Sequence, residues 1–173
     1  MGRLWPKAIG LSIFLLVGCI NDSTTITKFN KSREGGYSEF INKEPTIIYQ
    51  EMSSCINKGK YDDAVLLFSI AGTYSWYDAA RVGGDYAAVK HKMLLSETLQ
   101  SVDPQKNEIF WTKVKTALDV NSDGHKYICS KLLLLPPPEY QANYMSDKID
   151  YVQNKDNSPE LWSMAIDRYL HCS

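Results

Sequence analysis

KYDDAVLLFSIA, from Lys60 to Ala71, is the stretch that decides the fold. Its apolar residues recur at intervals of three and four, the period of an α-helix with a face in a core. Leu66, Leu67 and Ile70 extend the apolar surface around the helix axis. A helix that is apolar on most sides has to be buried on most sides. We therefore predict a central helix that starts near Lys60, with the rest of the domain packed around it.

Five other segments show helical spacing of apolar residues, and none shows the sustained two-residue alternation of a strand. They cover residues 48–56, 88–102, 110–118, 127–135 and 162–169. Pro45 and Pro159 suit the first turn of a helix, Gly59 ends the first segment, and the prolines at 136–138 stop the fifth. The sequence predicts an all-α fold, a single compact bundle of about six helices with short connections.

The central helix also resembles part of a known repeat. Residues 59–64, together with Phe68 and Ala71, are similar to the second helix of a tetratricopeptide repeat. The proline expected after that helix is missing, and no second copy follows about 34 residues later. A generic helical hairpin is therefore the favoured interpretation, with a tetratricopeptide-like hairpin as the alternative.

A secretory signal precedes the domain. Arg3 and Lys7 come before an apolar run that closes with Leu15-Leu16-Val17-Gly18-Cys19. This run has about half of the roughly 20 residues that a transmembrane helix needs. Residues 16–19 resemble the lipobox of bacterial lipoproteins, which implies that residues 1–18 are a signal peptide and that Cys19 is lipidated. An ordinary secretory signal, with Cys19 as a bystander, is the alternative.

The chain after the signal divides into a tether and a domain. Residues 19–44 are polar and lack periodicity, so we predict a lipidated flexible tether before a helical domain at 45–173. Ile20, rather than an aspartate, follows the cysteine, and the resemblance implies the outer membrane, facing the periplasm. Without residues 1–18 the chain has 17 basic and 20 acidic residues. That balance gives no electrostatic case for nucleic acid or for an anionic membrane surface as a partner.

Three cysteines remain besides Cys19, and an oxidising periplasm favours a disulfide. We favour Cys129–Cys172, because Cys172 lies close to the C-terminus, where a covalent link restrains the chain most. Cys55 is then interpreted as a small buried apolar residue with a reduced thiol. Spacing alone leaves the other two pairings open.

The motifs of metal sites and enzymes are incomplete. Residues 119–124 match the first half of a calcium-binding EF-hand loop, but Lys126 and Ser130 stand where the second half needs an apolar residue and a glutamate. His91, His125 and His171 lack zinc-site spacing, and His91 is interpreted as a core or rim residue. Neither a nucleophile elbow nor a glycine-rich phosphate loop occurs. The sequence predicts no metal, no cofactor and no enzymatic activity.

An aromatic cluster follows Gly72. We predict that Tyr74, Trp76, Tyr77 and Asp78 bind a partner, because large aromatic side chains with polar tips are common interface anchors. The alternative is that these side chains fill the core.

Several stretches together resemble one group of small envelope lipoproteins. They are residues 68–74, 78–82, 135–140, 144–145 and 169–172. The group consists of immunity lipoproteins encoded beside lipase effectors of type VI secretion. The resemblance implies a periplasm-facing protein whose partner is a secreted phospholipase-type toxin that it neutralises. A structural or assembly lipoprotein, acting as a helical scaffold in the envelope, is the alternative.

Overall fold

The computed structural model describes residues 40–146 and 159–172. Across these two ranges the chain forms six α-helices and a short 3-10 turn, without a strand. The helices are α1 (Pro45–Asn57), α2 (Tyr61–Val82), α3 (Gly84–Leu99), α4 (Pro104–Ala117), α5 (Asp123–Leu132) and α6 (Pro159–Leu170), and the 3-10 turn is Asn143–Met145. The predicted all-α bundle is therefore confirmed. The predicted signal peptide, Cys19 and most of the predicted tether lie outside the described residues.

The second helix is the centre of the bundle, as its sequence predicts. Of the 22 residues of α2, 16 are buried, and the helix contacts the other five helices and the 3-10 turn. Its buried hydroxyl groups are satisfied within the helix itself. Ser69 donates to the carbonyl of Val65 at 2.9 Å, and Thr73 donates to the carbonyl of Ser69 at 2.8 Å. These bonds let a polar side chain lie on a face that water does not reach.

The helix ends follow local capping rules. Asp103 caps α4 by accepting hydrogen bonds from the N–H groups of Gln105 and Lys106. Ser122 caps α5 by accepting from the N–H of His125 at 3.0 Å. The cap makes α5 begin at Asp123, four residues before the predicted start of the apolar pattern. The loop that matches half of an EF-hand thus serves as a helix cap in this structure.

The packed part of the chain begins before Pro45. Phe40 is buried in the core, and the side-chain oxygen of Asn42 accepts a hydrogen bond from the N–H of Glu139 at 3.0 Å. The last residues of the predicted tether, 40–44, therefore lie on the domain. None of the helices in the described ranges combines the length and the apolar character needed to cross a membrane.

A disulfide closes the C-terminal part of the fold. Cys129 on α5 and Cys172 after α6 are joined, with an S–S distance of 2.02 Å and Cα atoms 5.4 Å apart. This is the pairing favoured from the sequence. A loop of this length contributes about 4 kcal/mol on the chain-entropy model. Cys55 is buried as expected but is disulfide-bonded, which corrects the prediction of a reduced thiol.

Gly72 lies where α2 and α6 approach closely. A Cβ at this position would lie 2.1 Å from the hydroxyl oxygen of Tyr169 and 2.2 Å from its Cζ. The Tyr169 ring is held in place, because its hydroxyl is hydrogen-bonded to that of Tyr49 and its ring centroid lies 6.2 Å from that of Phe68. A glycine in the middle of α2 is therefore what admits α6.

Gly72→Ala should lower the free energy of unfolding by about 1–3 kcal/mol through overpacking. Helix propensity alone predicts the opposite sign, a gain of about 1 kcal/mol. Urea unfolding of the variant decides between the two. Tyr169→Leu opens the space beside Gly72. In that background Gly72→Ala should therefore lower the free energy of unfolding by less than it does in the wild type. A stabilised Gly72→Ala protein would contradict the close contact.

Candidate functional site

The residues predicted to bind a partner lie in the last third of α2. Tyr74, Tyr77 and Asp78 are fully buried, and Trp76 is partly buried and packs against the core. Three of the four predicted anchors therefore present no surface to a partner in this structure. The prediction that this cluster binds a partner needs exposed side chains, and it is corrected for these three residues because they are buried inside the bundle. The alternative interpretation, side chains that fill the core, describes these three residues.

The buried side of this stretch faces α6 and the segment after α5. The ring centroids of Tyr74 and Tyr77 lie 5.4 and 5.6 Å from that of Trp162 on α6. The indole N–H of Trp162 donates to the carbonyl of Leu135 at 2.9 Å. Helical positions four apart share a face, so Asp78 lies on the same side of α2 as Tyr74.

Asp78 is the centre of a buried polar group that we call the Asp78 cluster: Asp78, Arg81, Tyr140 and Tyr144. One carboxylate oxygen accepts from the Arg81 Nε at 2.8 Å, and the same oxygen lies 2.7 Å from an Arg81 terminal nitrogen. The other oxygen accepts from the hydroxyl of Tyr140 at 2.8 Å and from the hydroxyl of Tyr144. Both side chains of the ion pair are completely shielded from solvent.

Arg81 connects the cluster to the chain after α5. Its terminal nitrogen donates to the carbonyl of Tyr140 at 2.8 Å. Its guanidinium also lies over two rings, 5.2 Å from the centroid of Tyr77 and 5.3 Å from that of Tyr140. A buried guanidinium is tolerated only when charge, hydrogen bonds and ring faces replace its water. Arg81 has all three.

The protonation states follow from burial. Burial raises the pKa of Asp78, and Arg81 and the two tyrosine hydroxyls oppose this by lowering it. Burial raises the pKa of Tyr140 and of Tyr144, and the charge of Asp78 raises both further. Burial and then the Asp78 charge raise the pKa of Tyr74 to about 12. The tyrosine hydroxyls therefore keep their protons and remain hydrogen-bond donors.

The Asp78 cluster can hold the chain after α5 in place. It joins α2 to Tyr140 and Tyr144, which lie 62 and 66 residues away from Asp78 in sequence. Because its carboxylate is enclosed, the arrangement suits positioning of residues 139–145 rather than a reaction with a soluble substrate.

Three members of the cluster were not predicted as site residues: Arg81, Tyr140 and Tyr144. The spacing of Asp78 and Arg81, three residues apart with opposite charges on one helix, is a local signal for an ion pair. The two tyrosines carry no local signal, although both lie in stretches that carry the family resemblance. Their meeting with Asp78 depends on the path of the chain after α5.

A serine and a histidine also meet in the bundle. Ser75 Oγ on α2 lies 2.7 Å from Nδ1 of His91 on α3. Burial, and then the charge of Lys92, lower the pKa of His91. Ser75 is fully buried in the middle of α2, so this pair ties α3 to α2. His91 is thus a rim residue with a hydrogen-bond partner, as predicted.

A histidine and two cysteines could in principle ligate a metal. The ligating atoms of His125, Cys129 and Cys172 lie within 4.8 Å of one another, and all three residues are buried. The two sulfur atoms form the disulfide, however, and the His125 Nε2 is hydrogen-bonded to the carbonyl of Leu170 at 2.7 Å. In this oxidised form the group holds α5 and α6 together and offers no thiolate to a metal.

The exposed apolar residues of the described chain include a stripe on α3. Tyr86, Val89 and Met93 are 45%, 52% and 45% exposed. Their spacing of three and four places them on one side of the helix, which we call the α3 stripe. On another side of α3, Ala87 and Leu94 are buried and fix the helix to the core.

Comparison with known proteins adds no relative. No protein-family model matches the chain, and neither a curated protein nor a solved structure matches it.

Tyr140→Phe and Tyr144→Phe should each lower the free energy of unfolding by about 1.5–3 kcal/mol, because each removes a hydrogen bond to a charged acceptor. Urea unfolding followed by circular dichroism measures the loss. Tyr86→Phe is the matched control, since its ring is exposed and we expect a change below about 0.5 kcal/mol. Equal unfolding midpoints for the wild type and both cluster variants would contradict the cluster.

Proposed function

We propose that this chain is a periplasm-facing lipoprotein that binds and neutralises a type VI secreted phospholipase-type toxin. The proposal is supported by the lipobox at residues 16–19, by the resemblance to immunity lipoproteins, and by one structural observation that carries it: the α3 stripe. An inhibitor of this kind needs a rigid surface that covers or restrains its target. Lipidation would hold that surface close to the membrane that a phospholipase attacks.

The α3 stripe has the form of a surface that fits a groove. Apolar residues at positions i, i+3 and i+7 are the usual anchors when a helix is bound by another protein. Tyr86 adds a stiff ring with a polar tip, a side chain that is common among energetic centres of interfaces. A typical stable interface covers about 800 Å² on each partner, so the stripe would form its centre and the neighbouring polar residues its rim.

The helix that carries the stripe is folded and packed against the bundle. Ala87 and Leu94 are buried beneath it, and the Ser75–His91 contact joins α3 to α2. The ring of His91 also lies 6.2 Å from that of Tyr169 on α6. A helix that is already ordered loses little further conformational entropy on binding, which favours a tight complex.

The lipid anchor is tested at Cys19. Cys19→Ser should abolish incorporation of labelled fatty acid and release the protein from the membrane fraction. Peptide mapping of the purified wild type shows whether the sulfur atom of Cys19 is acylated or in a disulfide. Acylation uses the sulfur atom of Cys19, so the anchor requires that Cys55, which is disulfide-bonded in this structure, has a free thiol in the membrane-bound protein. A disulfide at Cys19 in the membrane-bound protein would contradict the anchor.

Toxin binding is tested on the α3 stripe. Val89→Gln combined with Met93→Gln should weaken binding of the co-encoded lipase-type toxin by roughly 30-fold or more, the effect of losing about 2 kcal/mol at an interface centre. The measurement is growth protection of cells that export the toxin to the periplasm, together with binding of the purified proteins. Val120→Gln is the matched control, because Val120 is 52% exposed on a different part of the surface.

The outcomes separate the interface from the function. Loss of protection in the stripe variant, with unchanged thermal stability and unchanged membrane fractionation, supports both the proposed interface and the proposed function. If the wild type protects and the stripe variant protects equally, the interface lies elsewhere. If the wild type protects against no co-encoded toxin and binds no envelope lipase, the immunity proposal fails and the scaffold alternative replaces it.

A further inference from the structure

Two sulfur atoms and one imidazole meet where the end of α6 packs on α5. His125 and Cys129 lie four residues apart on α5, and positions four apart share a face of a helix. Cys172 follows α6 and brings the third ligating atom to the same point, so that the three atoms lie within 4.8 Å of one another. We call these three residues the His125 group. In the structure it is held together by the disulfide between its two cysteines.

The spacing of the His125 group fits a single tetrahedral zinc ion. Zinc–sulfur bonds of about 2.3 Å and zinc–nitrogen bonds of about 2.0 Å, at a tetrahedral angle, separate the two ligand atoms by roughly 3.5 Å. Nε2 of His125 and Sγ of Cys129 already lie 3.5 Å apart. Two sulfurs on one zinc ion lie about 3.8 Å apart, close to the van der Waals separation that two thiols take once their bond is broken.

The charge of the group suits Zn²⁺ in a buried place. All three residues are buried, and an uncompensated charge is costly there. Two thiolates cancel the two charges of Zn²⁺, and the imidazole binds as a neutral ligand, so the filled site carries no net charge. Sulfur and imidazole ligands also select zinc over calcium and magnesium, which prefer oxygen. The incomplete EF-hand loop before α5 supplies none of these ligands.

The imidazole has to exchange one partner for another. Nε2 of His125 lies 2.7 Å from the carbonyl of Leu170, and a carbonyl can only accept, so Nε2 donates its proton to this bond. Leu170 is the last residue of α6, where a carbonyl has no partner within the helix. To bind zinc, the neutral imidazole must carry its proton on Nδ1 instead. The metal bond would then replace the contact to Leu170 in joining α5 to α6.

The sulfur of Cys172 lies in the part of the group that can open most readily. The last helix ends at Leu170, and His171 and Cys172 continue in non-helical backbone. His171 is exposed, whereas Cys172 is buried. Local opening of these two residues exposes the disulfide to a reductant without unfolding a helix.

We propose that reduction of the Cys129–Cys172 disulfide converts the His125 group into a zinc site. A dithiol supplies two electrons and two protons and becomes a disulfide, while Cys129 and Cys172 become thiols. Zn²⁺ then displaces both thiol protons and binds the two sulfurs and Nε2 of His125, with water in the fourth position. The metal takes over from the covalent bond in holding α6 on α5. This proposal is independent of the lipid anchor and of the toxin.

The test uses the mature chain with Cys19→Ser, so that this sulfur neither carries acyl groups nor binds metal. The protein is reduced with dithiothreitol, which is removed under argon before metal is added. Competition with a chromophoric chelator measures the Zn²⁺ affinity, and Co²⁺ used in place of Zn²⁺ reports thiolate ligands by its charge-transfer absorption. We expect one ion per reduced chain, release of about two protons on binding, and no such binding by the oxidised chain.

Two pairs of substitutions separate the group from other cysteines and histidines. Cys129→Ser and His125→Gln should each weaken Zn²⁺ binding by about 100-fold or more, because loss of a mere outer-sphere partner already costs about 10–100-fold. Glutamine keeps an N–H for the Leu170 carbonyl, so the contact between α5 and α6 is retained. Cys55→Ser and His171→Gln are the matched controls, and both should bind Zn²⁺ like the parent chain.

Circular dichroism follows folding in the same samples. Zn²⁺ should raise the unfolding temperature of the reduced parent, and if the reduced chain without metal unfolds, Zn²⁺ should restore its helical spectrum. Four results would each overturn the proposal: no binding of Zn²⁺ or Co²⁺ by the reduced parent, equal binding by the oxidised parent, equal binding by the group variants and their controls, or equally tight binding in concentrated urea.

Discussion

The burial of α2 on most sides is the constraint on which the rest of the structure depends. Each buried polar group on that helix must find its partner inside the protein, because an unsatisfied buried group costs about 1–3 kcal/mol and an uncompensated buried charge costs more. Ser69 and Thr73 use carbonyls of their own helix, and Asp78 and Arg81 use each other and the chain after α5. The hydroxyl of Tyr74 is buried without a partner among the described residues, which is a cost at this site.

The central helix also determines what remains exposed. Since α2 occupies the middle of the bundle, the helices around it need only a narrow apolar face toward the core. In α3 only Ala87 and Leu94 are fully buried, and three large apolar side chains point away from the core. The turn after α5 is similar, with Leu132 and Leu135 inside and the leucines between them outside. Both exposed surfaces are held by contacts that lead back to α2.

Local features of the fold could be predicted from the sequence. The spacing of apolar residues around Val65 and Phe68 identified the central helix, and Pro45 and Pro159 marked two helix starts. The Cys129–Cys172 bond followed from the position of Cys172 near the end of the chain. The helix predictions succeeded because each depends on neighbours within a few residues. The disulfide prediction depends instead on where Cys172 lies in the whole chain.

The polar core could not be predicted in the same way. Asp78 meets Tyr140 and Tyr144 only because the chain after α5 returns across α2, and periodicity carries no information about that path. The same difficulty placed Tyr74 and Tyr77 on the predicted surface, since aromatic side chains are common both in cores and at interfaces. The role of Gly72 could not be predicted from the sequence either. A glycine inside a helix is unfavourable by about 1 kcal/mol, and the ring of Tyr169, which makes a glycine necessary here, lies on another helix.

Native-state hydrogen exchange, followed peptide by peptide, tests most directly the claim that α2 organises the fold. The account predicts that the amides of α2 exchange most slowly and only through global unfolding, because no local opening can expose a helix that contacts all five others. The amides of α3, which has few buried residues, should exchange faster through local opening. Exchange of the α2 amides at the rate of α3 or faster would contradict the account.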